Sequence, residues 1–289
     1  MAISAAQVKE LREKTGAGMM DCKKALTEAD GDFQKAIEIL RKKGASVAAK
    51  RAERSANEGM VSTKVSKNKK SGIILEVNCE TDFVAKSEDF VNFTSLVMKA
   101  VEASEPKNRE ELLTLTIDGK KIEDELTAII GKIGEKIEVS RFKIEKAENG
   151  VIVDYIHHGS KLGVLVKADN IAGEKANAFA ELLKDFAMQV AAMNPLCVYR
   201  EDVPKDTIEK EIDIYKELAR KEGKPEQILD KIANGKLNKY YSENCLFEQA
   251  FVKDNSKSVS ELIKEFNTQN GTEAKLVLFH RFHLSDENK

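Results

Sequence analysis

The sequence predicts an α+β protein: an N-terminal three-helix module, then a two-lobed core in which each lobe is a small antiparallel sheet with helices, and an inserted antiparallel coiled-coil hairpin. Three observations predict it. Residues 4–43 carry apolar side chains at helical spacing, with turn glycines between the runs. A hairpin followed by a helix occurs twice, over residues 59–103 and again from residue 151. Two charge-rich helical runs meet at Gly223-Lys224-Pro225. The expected division is 1–54 for the module with a linker helix, 55–148 for the first lobe, and 149–289 for the second lobe with its arm at about 205–241.

Composition narrows the function. The 289 residues are 42% hydrophobic, enough for a real core, and 33% charged. Lys and Arg total 47 against 49 Asp and Glu, a net charge of −2, and the signs are interleaved. Such a chain carries no basic field for nucleic acid, so no direct nucleic-acid contact is expected. The start, Met1-Ala2-Ile3-Ser4, lacks the basic and apolar regions of a secretory signal, and no apolar run approaches the ~20 residues that span a bilayer. The expected place is the cytoplasm, away from membranes. There Cys22, Cys79, Cys197 and Cys245, without CxxC spacing, read as buried thiols.

In the module, Ser4 and Gln7 fit a capping box ahead of Val8 and Leu11. Gly16 and Gly18 bracket a turn, and Met19-Met20-Asp21 opens a second helix with Asp21 at the positive end of its dipole. Asp30-Gly31-Asp32 closes that helix and caps a third, whose stripe is Phe33, Ala36, Ile37 and Leu40, with Gly44 as its stop. The unit resembles a ubiquitin-associated (UBA-like) module. Its Gly-x-Gly follows a helix, so it reads as a turn and not a nucleotide loop. The two methionines suit a partner surface. Residues 45–54 read as a helical linker.

Gly59 to Val65 alternates as a strand, 67–72 is turn chemistry, and Ile73 to Val77 is a second strand. It leads into Asn78-Cys79-Glu80-Thr81-Asp82-Phe83-Val84-Ala85-Lys86, the stretch that organises the chain. Thr81 and Asp82 favour turns and caps, so the strand stops before Phe83. Ser87 caps a helix carrying Phe90, Phe93, Val97 and Ala100. Composition alone favours a Phe83 folded into the core. The other reading presents it outward as a wedge beside Asp82. After a break at Pro106, a polar connection leads to an Ile122–Ile130 segment. Residues 131–136 then read as a Gly-punctuated loop before a strand, where Gly134 would let the backbone approach another surface.

The second hairpin is 151–156 and 162–166, followed by a helix with Phe179, Leu182, Phe186, Val190 and Met193 on one face and a stop at Asn194-Pro195. His157 and His158, read as strand neighbours, point apart and offer no third ligand, so no metal or other cofactor is expected. No nucleophile, base and orienting group assemble, so the chain reads as a binding protein without chemistry of its own. In the arm, Ile208, Ile212, Tyr215 and Ala219 face Ile228, Leu229, Ile232 and Leu237. Sixteen or so residues make a limb ~24 Å long, with Pro225 at the first helical position of the second limb. Phe247 to Val252 reads as a strand, Ser258 to Phe266 as a helix, Lys275 to Leu284 as the closing strand, and Ser285 onward as a frayed tail.

Four stretches carry a family resemblance. They are Val8 to Leu26 around Thr15-Gly16-Ala17-Gly18-Met19-Met20-Asp21, Glu76 to Ala85 around Thr81-Asp82-Phe83-Val84, Lys132-Ile133-Gly134-Glu135, and His158-Gly159 with Gly163 to Val166. In this order, over nearly the whole length, the sequence resembles the bacterial elongation factor Ts family. The resemblance implies guanine nucleotide exchange on elongation factor Tu, a translational GTPase, met both GDP-bound and nucleotide-free. It implies that Lys9, Arg12, Met19 and Met20 dock on the GTPase domain. Thr81, Asp82, Phe83 and Val84 would disturb its Mg²⁺ site, with the Phe driven between two helices. Ile133, Gly134 and His158 match further contacts; whether His157 or His158 faces the partner stays open. The alternative is a passive partner-binding or scaffold protein whose arm forms a homodimer. Some members carry a helix past the last strand, a contact not expected here.

Overall fold

The computed structural model describes residues 3–286. Helix α1 (Ala5–Thr15) starts at the capping box: Ser4 Oγ accepts from the Gln7 amide, and the Gln7 carboxamide accepts from the Ser4 amide. Left-handed Gly16 ends it. Helix α2 (Met19–Glu28) and helix α3 (Phe33–Arg51), capped by Asp32, complete a module around Val8, Leu11, Cys22, Ala25, Leu26 and Ala36.

The first sheet is antiparallel throughout, with strands in the order β1 (Glu58–Val65), β2 (Ser71–Cys79) and β5 (Ile137–Lys146). Strands β1 and β2 form the hairpin. The chain continues through α4 (Asp82–Ala85), α5 (Glu88–Ser104) and α6 (Arg109–Thr114). A two-residue hairpin, β3 (Thr116–Ile117) with β4 (Lys120–Lys121), precedes α7 (Ile122–Ile133) and β5 (Ile137–Lys146). The expected polar connection is therefore structured, because Leu112 of α6 is fully buried in this lobe's core. Residues 131–133 belong to α7 and not to a loop; only Gly134, left-handed, caps it.

Gly44 does not end the third helix, and no separate linker helix exists: α3 runs on to Arg51. A Cβ at Gly44 would lie 2.9 Å from the Thr127 carbonyl oxygen, and one at Gly131 would lie 2.8 Å from the Gly44 Cα. These glycines let α3 and α7 cross in backbone contact. Val47 and Ala48, beyond the crossing, pack on the first lobe's core.

The second sheet has order β6-β7-β10, from β6 (Gly150–Ile156), β7 (Leu162–Asp169) and β10 (Lys275–His283). Each sheet is thus a hairpin whose second strand pairs with a strand arriving after a helix. Helix α8 (Gly173–Met193) buries Phe179, Leu183, Phe186 and Val190 against it. Leu183 takes the place expected of Leu182, since it stands four residues from Phe179 on the same face. Met193 is 47% exposed. Helices α9 (Lys205–Lys221) and α10 (Glu226–Asn244) form the arm, with Ala219, Leu229 and Ala233 buried and Pro225 at the N-cap. At its base, Cys197 and Cys245 are free thiols with sulfurs 3.8 Å apart; Cys197 is only half-buried.

The strand expected over Phe247–Val252 is displaced. The amides of Phe247, Glu248 and Gln249 bond back to the Val198 and Cys245 carbonyls, giving a 3-10 turn at Leu246–Glu248. Only Ala250–Phe251 pairs, as β8, with β9 (Asp254–Ser258). Helix α11 (Val259–Asn270) then packs beside α8.

The sheets meet through Val61, Ile74, Ile152, Leu165 and Phe282, so both faces of β2 and β7 are covered. Glu76, fully buried on β2, pairs with Arg141 at 2.7 Å. Arg141 also stacks on Phe282 and reaches Asp286 at 2.7 Å. The start of the expected frayed tail is therefore held: Asp286 accepts from Arg141 and from the His283 amide. The rest of that tail, 287–289, lies outside the described residues.

Candidate functional site

Strand β2 ends at Cys79 because the next residues find better partners than a ladder. Thr81 is extended, and its Oγ1 accepts from the Val84 amide, which starts α4. Phe83 therefore falls on the outer side of a one-turn helix and is 82% exposed, the most exposed large apolar side chain among the described residues. Its neighbours are turned inward: Val84 packs on the first lobe's core and Ala85 is buried. Lys86 donates to Asp82 at 2.7 Å and holds its carboxyl below the ordinary range.

The turn is held from behind by two carboxylates. Glu135 accepts from the Thr81 amide at 3.1 Å and from its hydroxyl at 2.9 Å. Glu80 accepts from the Lys136 amide at 2.7 Å, from Arg51 at 3.1 Å and from Arg54 at 3.3 Å. Partial burial opposes the charge on Glu80, but these donors outweigh it and hold the carboxyl below the ordinary range. The Cys79 thiol donates to the Thr81 carbonyl, and burial, aided by the Glu135 charge, pushes it up to about 12.

The other predicted residues fall around this turn. Gly134 follows α7 with open space where a Cβ would be, and Ile133 is half-buried. The next residues, Glu135 and Lys136, bond the Phe83 turn, so these two stretches share one edge. Lys132 bridges to Asp89 at the start of α5, and a Cβ at Gly16 would stand 3.6 Å from its Nζ. That places the Gly16 turn beside α7, with Met19 and Met20 following it at 54% and 62% exposure. Lys9 and Arg12 are exposed on α1, where Lys9 pairs with Glu13. His157 and His158 occupy the β6–β7 turn and not a strand, because the His157 amide closes that turn on the Leu162 carbonyl. The His157 ring bonds Tyr155, and His158 is exposed. This turn reaches the same neighbourhood, since Ser160 accepts from the Val61 amide and Lys161 pairs with Glu58. Sequence reasoning missed Glu80 and Glu135. Both stand inside the motifs it singled out, but the backbone amides they accept from belong to the other motif, more than 50 residues away.

Among the described residues no group of three or more His, Cys, Asp or Glu is arranged to hold a metal ion, and no helix is long and apolar enough to cross a membrane. The edge offers an exposed aromatic on a braced turn, exposed methionines and a bare glycine backbone. This is the equipment of a protein that acts by docking on another macromolecule. The comparisons give the family. The family model for elongation factor Ts matches residues 80–286. Elongation factor Ts of Chloroherpeton thalassium is 45% identical over 289 residues, covering 99% of both chains. That of Chlorobaculum parvum is 48% identical over 286 residues and 98% of both, and that of Clostridium botulinum strain Alaska E43 is 47% identical over 98% of this chain and 93% of its own. The chain belongs to the elongation factor Ts family.

Proposed function

We propose that this protein is a guanine nucleotide exchange factor for elongation factor Tu. It acts in the cytoplasm during translation elongation, without chemistry of its own. The observation that carries the proposal is the exposed Phe83 on a turn braced from behind, beside Asp82. GDP is held on such GTPases by Mg²⁺, phosphate-loop amides and the helix N-terminus behind them. A ring pushed between helices displaces those groups without touching the nucleotide. Burying one Phe supplies only ~1.5–3 kcal/mol. The module turn at Met19-Met20 with Lys9 and Arg12, the Ile133-Gly134 backbone and His158 therefore add contacts that favour the nucleotide-free partner. By linkage the protein weakens GDP by the factor by which GDP weakens the protein. The division at 54/55 and 148/149 is part of this reading: the module and first lobe face the nucleotide-binding domain, and the second lobe faces another domain of the partner.

The test is Phe83→Ala. It should bind elongation factor Tu with less than about a tenfold change in Kd while losing most of the acceleration of GDP release, as expected when a side chain acts in the displaced state more than in docking. Unchanged acceleration would remove the wedge. A second reading, a passive binding protein that self-associates through its arm, is favoured by Ile214, Leu218 and Ile228, exposed on the arm at 48%, 44% and 40%. In that case Phe83→Ala would change nothing, and Leu218→Glu would shift the sedimentation coefficient.

A further inference from the structure

The Phe83 turn and the segment after α7 exchange hydrogen bonds reciprocally. The carboxylate of Glu80 takes the amide of Lys136, and the carboxylate of Glu135 takes the amide of the residue after Glu80, Thr81. Each acid thus satisfies a backbone donor next to the other acid. Glu135 does more, because its second oxygen takes the Thr81 hydroxyl at 2.9 Å. That hydroxyl is then oriented with its lone pairs toward the Val84 amide, the bond that starts α4. Glu80 in turn collects Arg51, the last residue of α3, and Arg54 from the turn just past it. Three separate parts of the chain converge on these two side chains: the module through Arg51, the Ile133-Gly134 corner through Lys136, and the Phe83 turn through Thr81.

From this geometry we infer that Glu135 and Glu80 are positioning residues for exchange: they hold Phe83 in its outward pose relative to Ile133-Gly134 and the module before the partner arrives. The inference rests on the exchange reading and adds residues to it. An exposed ring on a four-residue helix has little of its own to hold it. Without the clamp the turn samples other poses, and the energy needed to order it is withdrawn from displacing the partner's helices. Glu135 acts on the partner only through Phe83.

The experiment compares Glu135→Ala, Glu135→Gln, Phe83→Ala and the double variant Phe83→Ala with Glu135→Ala. GDP release from elongation factor Tu is followed across a range of concentrations of each. Glu135→Ala should lower the maximal release rate roughly tenfold or more while moving the half-saturating concentration less than about threefold, since it loosens a pose and removes no contact with the partner. Glu135→Gln, which keeps an acceptor, should recover much of that loss. In the double variant Glu135→Ala should add nothing to Phe83→Ala, because both remove one effect. Multiplicative losses would overturn the inference, as would a full maximal rate for Glu135→Ala. Amide hydrogen exchange in the free protein separates this from the exchange reading. The Thr81 and Val84 amides should exchange faster in Glu135→Ala while those of α5 do not change. If they stay protected, the clamp is wrong even where exchange on elongation factor Tu is real. If they are released but wild-type protein accelerates nothing, the clamp stands and the exchange reading falls.

Discussion

Phe83 costs the free protein little, because an exposed ring contributes almost no burial energy. Phe83→Ala should therefore leave the unfolding free energy from urea denaturation within about 0.5 kcal/mol of wild type, and a clearly destabilised variant would show that the ring packs in solution. Glu76 is the opposite case, a fully buried carboxylate paired with Arg141 between the sheets. Glu76→Ala should cost roughly 1–3 kcal/mol by the same denaturation, since it removes a buried charge-assisted hydrogen bond while Arg141 keeps Asp286. The thiols of Cys79 and Cys245 are pushed up to about 12 by burial, from an ordinary value of 9.0. Their folded pKa values lie above the unfolded ones, so the folded state prefers the protonated thiol. That contribution is complete below pH 9.0 and is lost as pH rises toward about 12. The urea midpoint should fall across this window, and Cys79→Ser should flatten part of the fall.

Among the elements, α3 shows how far one sequence can be read. Its start was legible, because Asp32 satisfies orphan amides within three residues. Its end was not. Glycine is both the commonest helix stop and the residue of closest helix contact, and only the partner, Gly131 on α7, decides which. Gly44→Val should destabilise by roughly 1–3 kcal/mol through overpacking and should raise amide exchange in α1 and α2 more than in β7. Equal effects everywhere would mean that the crossing does not anchor the module. The same limit explains the 3-10 turn at Leu246–Glu248. An apolar run predicts a strand, but its amides are claimed by the distant Val198 and by Cys245. Both main hairpins, as short apolar or alternating runs on either side of turn chemistry, could be read directly.

In the whole molecule, two hairpin-plus-strand sheets lie back to back, and the braced edge stands where β2, α7 and the β6–β7 turn end. The repeat was visible as pattern, but the packing of sheet on sheet was not. The alternation that marks a half-buried strand is overwritten when both faces are covered, as along β2. The candidate residues were legible one motif at a time through the family resemblance; their shared edge is a property of the fold. On the proposed reading, this edge speeds release of GDP by working on the metal and phosphate site of elongation factor Tu. Stopped-flow release of a fluorescent GDP analogue from elongation factor Tu, across a Mg²⁺ titration, tests it most directly. Release should be faster in the presence of this protein, with the gain shrinking as Mg²⁺ rises. A stable complex with no acceleration at any Mg²⁺ concentration would contradict it.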